Sequence, residues 1–138
     1  MPHDAAGRWL LTATAALLFA LGLPLLFAAD VMAAWIGAPS VAGEALTQLA
    51  ASGLLGLGVI NWWWRGNTVR GIAGRPLGLG NFLCCISAGA SLGRATWAGA
   101  FPGVMWVVVL VLTALALAFA WRMFVWRPGG GSMQIPGL

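Results

Sequence analysis

The sequence predicts an all-α integral membrane protein, built as a four-transmembrane-helix bundle with both termini cytoplasmic. Hydrophobic residues make up 61% of the chain and charged residues only 7%, which leaves too few charges to cover a soluble domain. Four stretches contain no Asp, Glu, Lys, Arg or His, namely residues 9–29, 45–64, 76–93 and 95–121. About 20 apolar residues of helix cross the hydrocarbon core of a bilayer, and a helix satisfies its own backbone hydrogen bonds there. Each stretch therefore predicts one membrane-spanning helix.

The first span, residues 9–29, follows Arg8 and has some features of a secretory signal. Its 21 uncharged residues exceed the apolar region of a signal peptide, which is typically about 7 to 15 residues long. We therefore expect this segment to be retained as a transmembrane helix. Its retention also keeps the arginine-rich parts of the chain on one side of the membrane.

The other three spans are predicted at about 45–64, 76–97 and 103–126. The second and third contain small residues spaced four apart, a pattern that lets neighbouring helix backbones approach closely. We expect these two helices to form the packed interior, and the valine- and leucine-rich fourth span to face lipid over much of its circumference. Residues 1–127 then form the membrane domain, and the glycine-rich segment 128–138 forms a flexible cytoplasmic tail. The predicted helix-packing residues are Ser52, Gly56, Cys85, Gly89 and Gly93.

The arginines indicate the orientation of the bundle. Six of the seven lie before the first span, between the second and third spans, or at the end of the fourth, which alternating helices place on one face. Since cytoplasmic segments are enriched in positive charge, we expect this face to be cytoplasmic and the protein to lie in a bacterial inner membrane. These six residues are Arg8, Arg65, Arg70, Arg75, Arg122 and Arg127.

The opposite face is predicted to carry an outer charge cluster of Asp30, Glu44 and Arg94. The ordinary interpretation of Arg94 is an exposed arginine whose head reaches the headgroup layer. The alternative hypothesis is an ion pair between Arg94 and one of the two acids. Such a pair would tie the outer loops together.

A basic and aromatic patch is predicted at the cytoplasmic end of the second span. Indole rings favour the headgroup layer of a membrane, so an aromatic belt is the ordinary interpretation of these tryptophans. The alternative is a surface that stacks on a ligand or docks a partner. Arginines at such a surface attract anionic lipids. The patch comprises Trp62, Trp63, Trp64, Arg65, Arg70 and Arg75.

Reactive side chains are almost absent from the predicted spans. Proton-coupled transporters use carboxylates or histidines at membrane depth, whereas the one histidine of this chain, His3, precedes the first span. Cys84 and Cys85 are adjacent, and a disulfide between neighbours is strained, which argues against a redox switch. A metal relay would need further Cys, Met or His side chains along its path, and the sequence has no other cysteine, so apolar packing is favoured. We therefore predict no catalytic residue, no metal site and no cofactor, and we do not expect an enzyme.

Two functions remain open on the sequence alone. The preferred one is a non-catalytic accessory or assembly subunit that contacts anionic lipids and another membrane protein, or itself as a homo-oligomer, with no role for nucleic acid. The alternative is a small oligomeric channel or transporter. Its pore would be lined by polar residues of the second and third spans, Gln48, Ser52, Asn81, Ser87 and Ser91. The amides of Asn61 and Asn81 are expected either to bridge these two spans or to cap them.

The chain resembles the small multidrug antiporters in length and in number of spans. The first helix of that family carries a carboxylate in the middle of the membrane, whereas the first span of this chain has leucine, alanine and glycine at that depth. No motif is specific enough to carry functional residues over, so the sequence assigns no family.

Overall fold

The computed structural model describes residues 5–67 and 74–125, and within these ranges every regular element is helical. The helices are α1 (Ala5–Phe27), α2 (Ala29–Trp35), α3 (Val41–Trp64), α4 (Gly74–Trp97) and α5 (Met105–Ala120), which continues into a π-helical turn at Trp121–Val125. Four of them, α1, α3, α4 and α5 with its π-helical turn, are long and apolar enough to cross a bilayer. The prediction of an all-helical chain with four helices able to span a membrane is therefore confirmed. His3, Arg70, Arg127 and the predicted tail 128–138 lie outside the described residues.

Three transmembrane helices begin before the first residue of the span predicted for each of them. The helices α1, α3 and α4 start two to four residues earlier, and their first turns hold Arg8, Glu44 and Arg75. A helix keeps its backbone hydrogen bonds as it leaves the hydrocarbon, so its first turn extends into the headgroup layer, where charged side chains are solvated. Ser40 caps α3, because its Oγ accepts a 3.1 Å hydrogen bond from the N–H of Gly43.

The connection between the first two spans contains α2, a short helix that the sequence analysis did not predict. It was expected to be a loop, since Asp30 is charged and the segment lies outside the uncharged stretches. The side chain of Asp30 is indeed exposed, but Ala29 and Ala33, four residues apart, form a buried face. That face packs α2 against α1 and α3. The chain then turns at Gly37, whose φ of +80° is a conformation that glycine adopts without strain.

The transmembrane helices pack as two antiparallel pairs, α1 with α3 and α4 with α5. In the first pair, a Cβ on Gly58 of α3 would lie 3.4 Å from the Cβ of Leu18 in α1. In the second pair, a Cβ on Gly93 would lie 3.4 Å from Cγ1 of Val109. Contact between α3 and α4 is sparse by comparison. The expectation that the second and third spans form the packed interior is therefore corrected: each packs on the neighbour to which a short connection joins it.

The two pairs meet through a buried cluster to which all four transmembrane helices contribute. Leu11 of α1 and Phe119 of α5 are fully buried, and Trp64, Leu77 and Phe82 pack around them. This cluster lies near the end of the bundle where α1 and α4 begin and α3 and α5 end. We call it the arginine-rich end, because its described arginines are Arg8, Arg65, Arg75 and Arg122.

Aromatic contacts stabilise the opposite end. Trp97, the last residue of α4, meets Trp106 of α5 edge to face, with ring centroids 6.4 Å apart and an interplanar angle of 89°. The turn between them includes Gly99, whose φ is +79°. Trp35 of α2 contacts Phe101 of this turn, with ring centroids 6.3 Å apart. The two connections at this end therefore touch each other.

Candidate functional site at the arginine-rich end

An open groove of about 530 Å³ lies at the arginine-rich end, between the start of α1 and the end of α3. The chain brings these segments together because α1 and α3 are antiparallel neighbours, so the first turn of one lies beside the last turn of the other. We call this feature the groove, and its walls are formed by Arg8, Trp62, Trp63, Arg65 and Gly66.

Arg65 is held in the groove by two contacts with Trp62. Its guanidinium carbon lies 3.7 Å from the centroid of the Trp62 ring, within the range of a cation–π interaction. Its Nη1 donates a 3.1 Å hydrogen bond to the carbonyl oxygen of Trp62. The described residues form no other hydrogen bond with this guanidinium. The side chain is therefore oriented while most of its five N–H donors stay available.

The fold divides the predicted basic and aromatic patch. Three of its members line the groove, and one of these, Trp63, is 83% exposed. Trp64 instead packs on the buried cluster between the helix pairs, where its Nε1 has no hydrogen-bond partner among the described residues. Arg75 is exposed on the first turn of α4, and Arg70 lies outside the described residues. The sequence analysis did not place Arg8 in the patch, although its position just before a span is the same signal that pointed to the others.

Asn61 and Asn81 form a buried amide pair between α3 and α4. The Nδ2 of Asn61 donates to Oδ1 of Asn81 at 2.6 Å, and Nδ2 of Asn81 donates to Oδ1 of Asn61 at 2.7 Å. Asn81 also donates to the carbonyl oxygen of Leu77 at 2.9 Å, and both asparagines are fully buried. Of the two expected roles, bridging is therefore the observed one. Because amides inside a membrane protein need partners, each asparagine satisfies the other, and the pair is a second contact between the two helix pairs.

Three predicted helix-packing residues lie on the side of α4 that faces α5. Cys85 and Gly89 are buried, and Gly93 is half-buried. A Cβ on Gly89 would lie 3.5 Å from Oγ1 of Thr113, which is an ordinary van der Waals contact. The hydroxyl of Thr113 itself donates to the carbonyl oxygen of Val109 at 2.8 Å. This row therefore lies within a helix–helix contact of the chain itself.

The other two predicted helix-packing residues, Ser52 and Gly56, lie on the exposed side of α3. A Cβ on Gly56 would meet no described atom within 4 Å. The close approach of α1 and α3 uses other glycines: a Cβ on Gly22 would lie 2.9 Å from Cγ of Leu55, and Gly58 makes the contact described above. The row of Ser52 and Gly56 therefore packs against no other helix in the part of the chain that the structure describes.

The predicted outer charge cluster lies at the end opposite to the groove. Asp30 and Arg94 are exposed, and Glu44 is half-buried. No ion pair joins Arg94 to either acid in the described ranges. The hypothesised tie between the outer loops is therefore absent from this structure, and the aromatic contacts of that end take its place. That Arg94 reaches the headgroup layer stays a prediction.

The residues expected to line a pore do not converge within the chain. Gln48 and Ser52 are exposed on α3, and Ser87 and Ser91 are exposed on α4. Asn81 is buried and hydrogen-bonded to its partner amide. A passage lined by these residues would therefore have to form between copies of the chain.

The two cysteines are free thiols in the middle of α4. Cys85 is buried against Leu112 and Ala116 of α5, and Cys84 is half-buried. In residues 5–67 and 74–125, no three His, Cys, Asp or Glu side chains come close enough together to hold a metal ion. Apolar packing is the role that the position of Cys85 supports.

No protein-family model, characterised protein or solved structure is significantly similar to this chain. Its function is therefore inferred from its own side chains. The charged side chains of the described residues lie in the first or last turns of helices or next to these turns. Between these end turns, the transmembrane helices carry small, apolar and amide side chains.

Proposed function

We propose that this protein is a non-catalytic subunit or assembly factor of a membrane complex, held in a bacterial inner membrane with both termini in the cytoplasm. The observation that carries the proposal is an exposed row of polar and small residues along α3. It consists of Gln48, Ser52 and Gly56, and we call it the docking row. A transmembrane helix of a partner protein packs on this row.

The docking row lies on the side of α3 that faces away from α1. A period of 3.6 residues per turn places positions 48, 52 and 56 on one helix face, and all three are exposed. Because no described atom lies within 4 Å of a Cβ on Gly56, a second helix has room to approach α3 closely there. Small residues at such a spacing are enriched in transmembrane helix contacts.

Gln48 makes the docking row poorly suited to lipid. Its amide forms no hydrogen bond with the described residues, and it lies about two turns after the start of α3. An amide in hydrocarbon without a hydrogen-bond partner is costly, and transmembrane helices satisfy such groups across helix–helix contacts. A partner helix that offers an acceptor would remove this cost.

The position of the ionisable groups supports a non-catalytic role. Proton transfer or hydrolysis inside a membrane needs acids, histidines or a metal at depth. The described arginines and carboxylates lie at the helix ends instead. The middle parts of the helices therefore offer surfaces for helix packing and no acid or histidine for catalysis among the described residues.

A homo-oligomeric channel is the second candidate, because Gln48, Ser52, Ser87 and Ser91 are exposed and available to a neighbouring copy. Its lining would lack Asn81, whose amide is already satisfied within the chain. The loss of this residue from the polar row makes the channel the weaker candidate.

Replacement of Gly56 with leucine is expected to reduce partner binding at least tenfold, because the larger side chain prevents close approach to α3. The measurement is stoichiometric recovery of a second membrane protein with the tagged chain in mild detergent. Gly80→Leu is the matched control, since a Cβ on Gly80 of α4 also meets no described atom within 4 Å. Equal recovery with both variants would rule out the docking row. A homo-oligomer that conducts in liposomes would favour the channel instead.

Reporter fusions should place both termini in the cytoplasm, since segments rich in arginine are retained on that side. A green fluorescent protein fused after residue 138 is expected to fluoresce. Alkaline phosphatase inserted at Gly37 or Gly99, in the turns at the opposite end, is expected to be active. The reverse pattern would overturn the proposed orientation.

A further inference from the structure

We propose that the groove binds the phosphate group of an anionic phospholipid, with Arg8 and Arg65 as its ligands. The inference rests on the membrane placement in the proposed function and adds a specific lipid site to it. It does not depend on the docking row, which lies earlier in α3, within the apolar length of that helix.

Arg65 is preorganised to receive a phosphate oxygen. Stacking on Trp62 and the hydrogen bond to its carbonyl oxygen restrict the side chain, so less conformational entropy is lost when an anion binds. A guanidinium presents several N–H donors in one plane, a geometry that matches phosphate oxygens. Only one of these donors has a hydrogen-bond partner in the described part of the chain.

Arg8 adds a second positive charge to the same groove from a different helix. The described carboxylates, Asp30 and Glu44, lie at the opposite end of the bundle, so neither compensates these charges. Two arginines that face one cleft repel each other and raise its positive potential. An anion between them relieves the repulsion, which is why the ligand is assigned a negative charge.

The tryptophans of the groove indicate that the phosphate belongs to a lipid. Trp62 and Trp63 lie in the last turn of a transmembrane helix and are 48% and 83% exposed. Indole rings at this position lie at the level of the headgroups and upper acyl chains. Trp9, one residue after Arg8, is 72% exposed and extends the apolar surface along α1. A ligand with a phosphate and an acyl tail satisfies both parts of the groove, whereas free phosphate would leave the aromatic part uncovered.

The test is lipid retention by the intact protein, purified as a monomer in mild detergent with equal amounts of phosphatidylglycerol and phosphatidylcholine and measured by native mass spectrometry. The wild type is expected to retain phosphatidylglycerol preferentially. An arginine near a membrane surface is worth about 1 kcal/mol of attraction to anionic lipid, so Arg8→Gln and Arg65→Gln should each lower this retention about fivefold. Arg94→Gln is the matched control, because it removes one exposed arginine from the opposite end, and it should have no effect.

A second variant separates the geometry of the site from simple charge. Arg65→Lys keeps the positive charge but loses the planar fork, and it is expected to retain an intermediate amount of phosphatidylglycerol. Equal losses in Arg8→Gln and Arg94→Gln, or equal retention of the two lipids by the wild type, would overturn the proposal. So would displacement of the lipid by millimolar inorganic phosphate, which would identify a soluble anion as the ligand. The monomer used here lacks the partner of the docking row, so failure of one proposal leaves the other standing.

Discussion

Replacing Asn61 with leucine is expected to destabilise the folded bundle by about 1 to 2 kcal/mol. Leucine branches at Cγ as asparagine does, so the change removes the hydrogen-bonding groups of the amide and keeps the branched shape. The amide of Asn81 is then buried without the acceptor and the donor that Asn61 supplies. Leaving a buried polar group unpaired costs more than a satisfied hydrogen bond contributes. Asn81→Leu should cost a similar amount for the same reason.

The double variant Asn61→Leu with Asn81→Leu should be more stable than the sum of the single effects indicates, because an apolar contact replaces the whole pair. Reversible unfolding in mixed detergent micelles, followed by circular dichroism, provides the double-mutant cycle. Gln48→Leu also removes an amide from α3, but on its exposed side, and should change the stability of the isolated protein by less than about 0.5 kcal/mol. Additive single effects would contradict the reciprocal hydrogen bonds.

The spans and the positions of the tryptophans were predictable because both follow from the preference of each residue for lipid or water. A run of about 20 apolar residues crosses the membrane whichever helix lies beside it. The indole ring favours the boundary of that layer, and Trp9, Trp97 and Trp121 accordingly lie within about a turn of helix ends. No knowledge of the neighbouring helices is needed for either conclusion.

The pairing of the helices was not predictable in this way, because it depends on complementary shapes on two surfaces. The spacing of Ser52 and Gly56 is typical of a close contact, yet the contact with α1 forms at Gly58. Gly22 meets Leu55 in the same contact, and nothing in the sequence pairs those two positions. A row of small residues marks a face that a helix can approach, but it does not identify the helix.

The groove was only partly predictable for a related reason. Trp62, Trp63 and Arg65 are adjacent in the sequence, so their association required no knowledge of the fold. Arg8 reaches them only because α1 and α3 are antiparallel neighbours. The helix α2 was missed because Asp30 marks a solvated segment, while the burial of Ala33 depends on the surface that α1 and α3 present to it.

Replacing Gly43 with alanine is expected to destabilise the protein by about 1 to 3 kcal/mol through overpacking. Gly43 is buried in the first turn of α3, and a Cβ there would overlap the carbonyl oxygen of Ala38 and lie 3.1 Å from its carbonyl carbon. These are backbone atoms, so no side-chain rotation relieves the overlap. The connection from α2 would have to move, and with it Ser40, whose Oγ accepts the hydrogen bond from the N–H of Gly43.

Gly53→Ala is the matched control, because it adds the same methyl group to α3 at a position with no described atom within 4 Å. Alanine has a higher helix propensity than glycine, by up to about 1 kcal/mol, so this variant should be at least as stable as the wild type. Detergent-induced unfolding, followed by the loss of helical circular dichroism, should separate the two variants by more than about 1 kcal/mol. If Gly43→Ala is as stable as Gly53→Ala, the carbonyl group of Ala38 does not lie in close contact with Gly43 of α3.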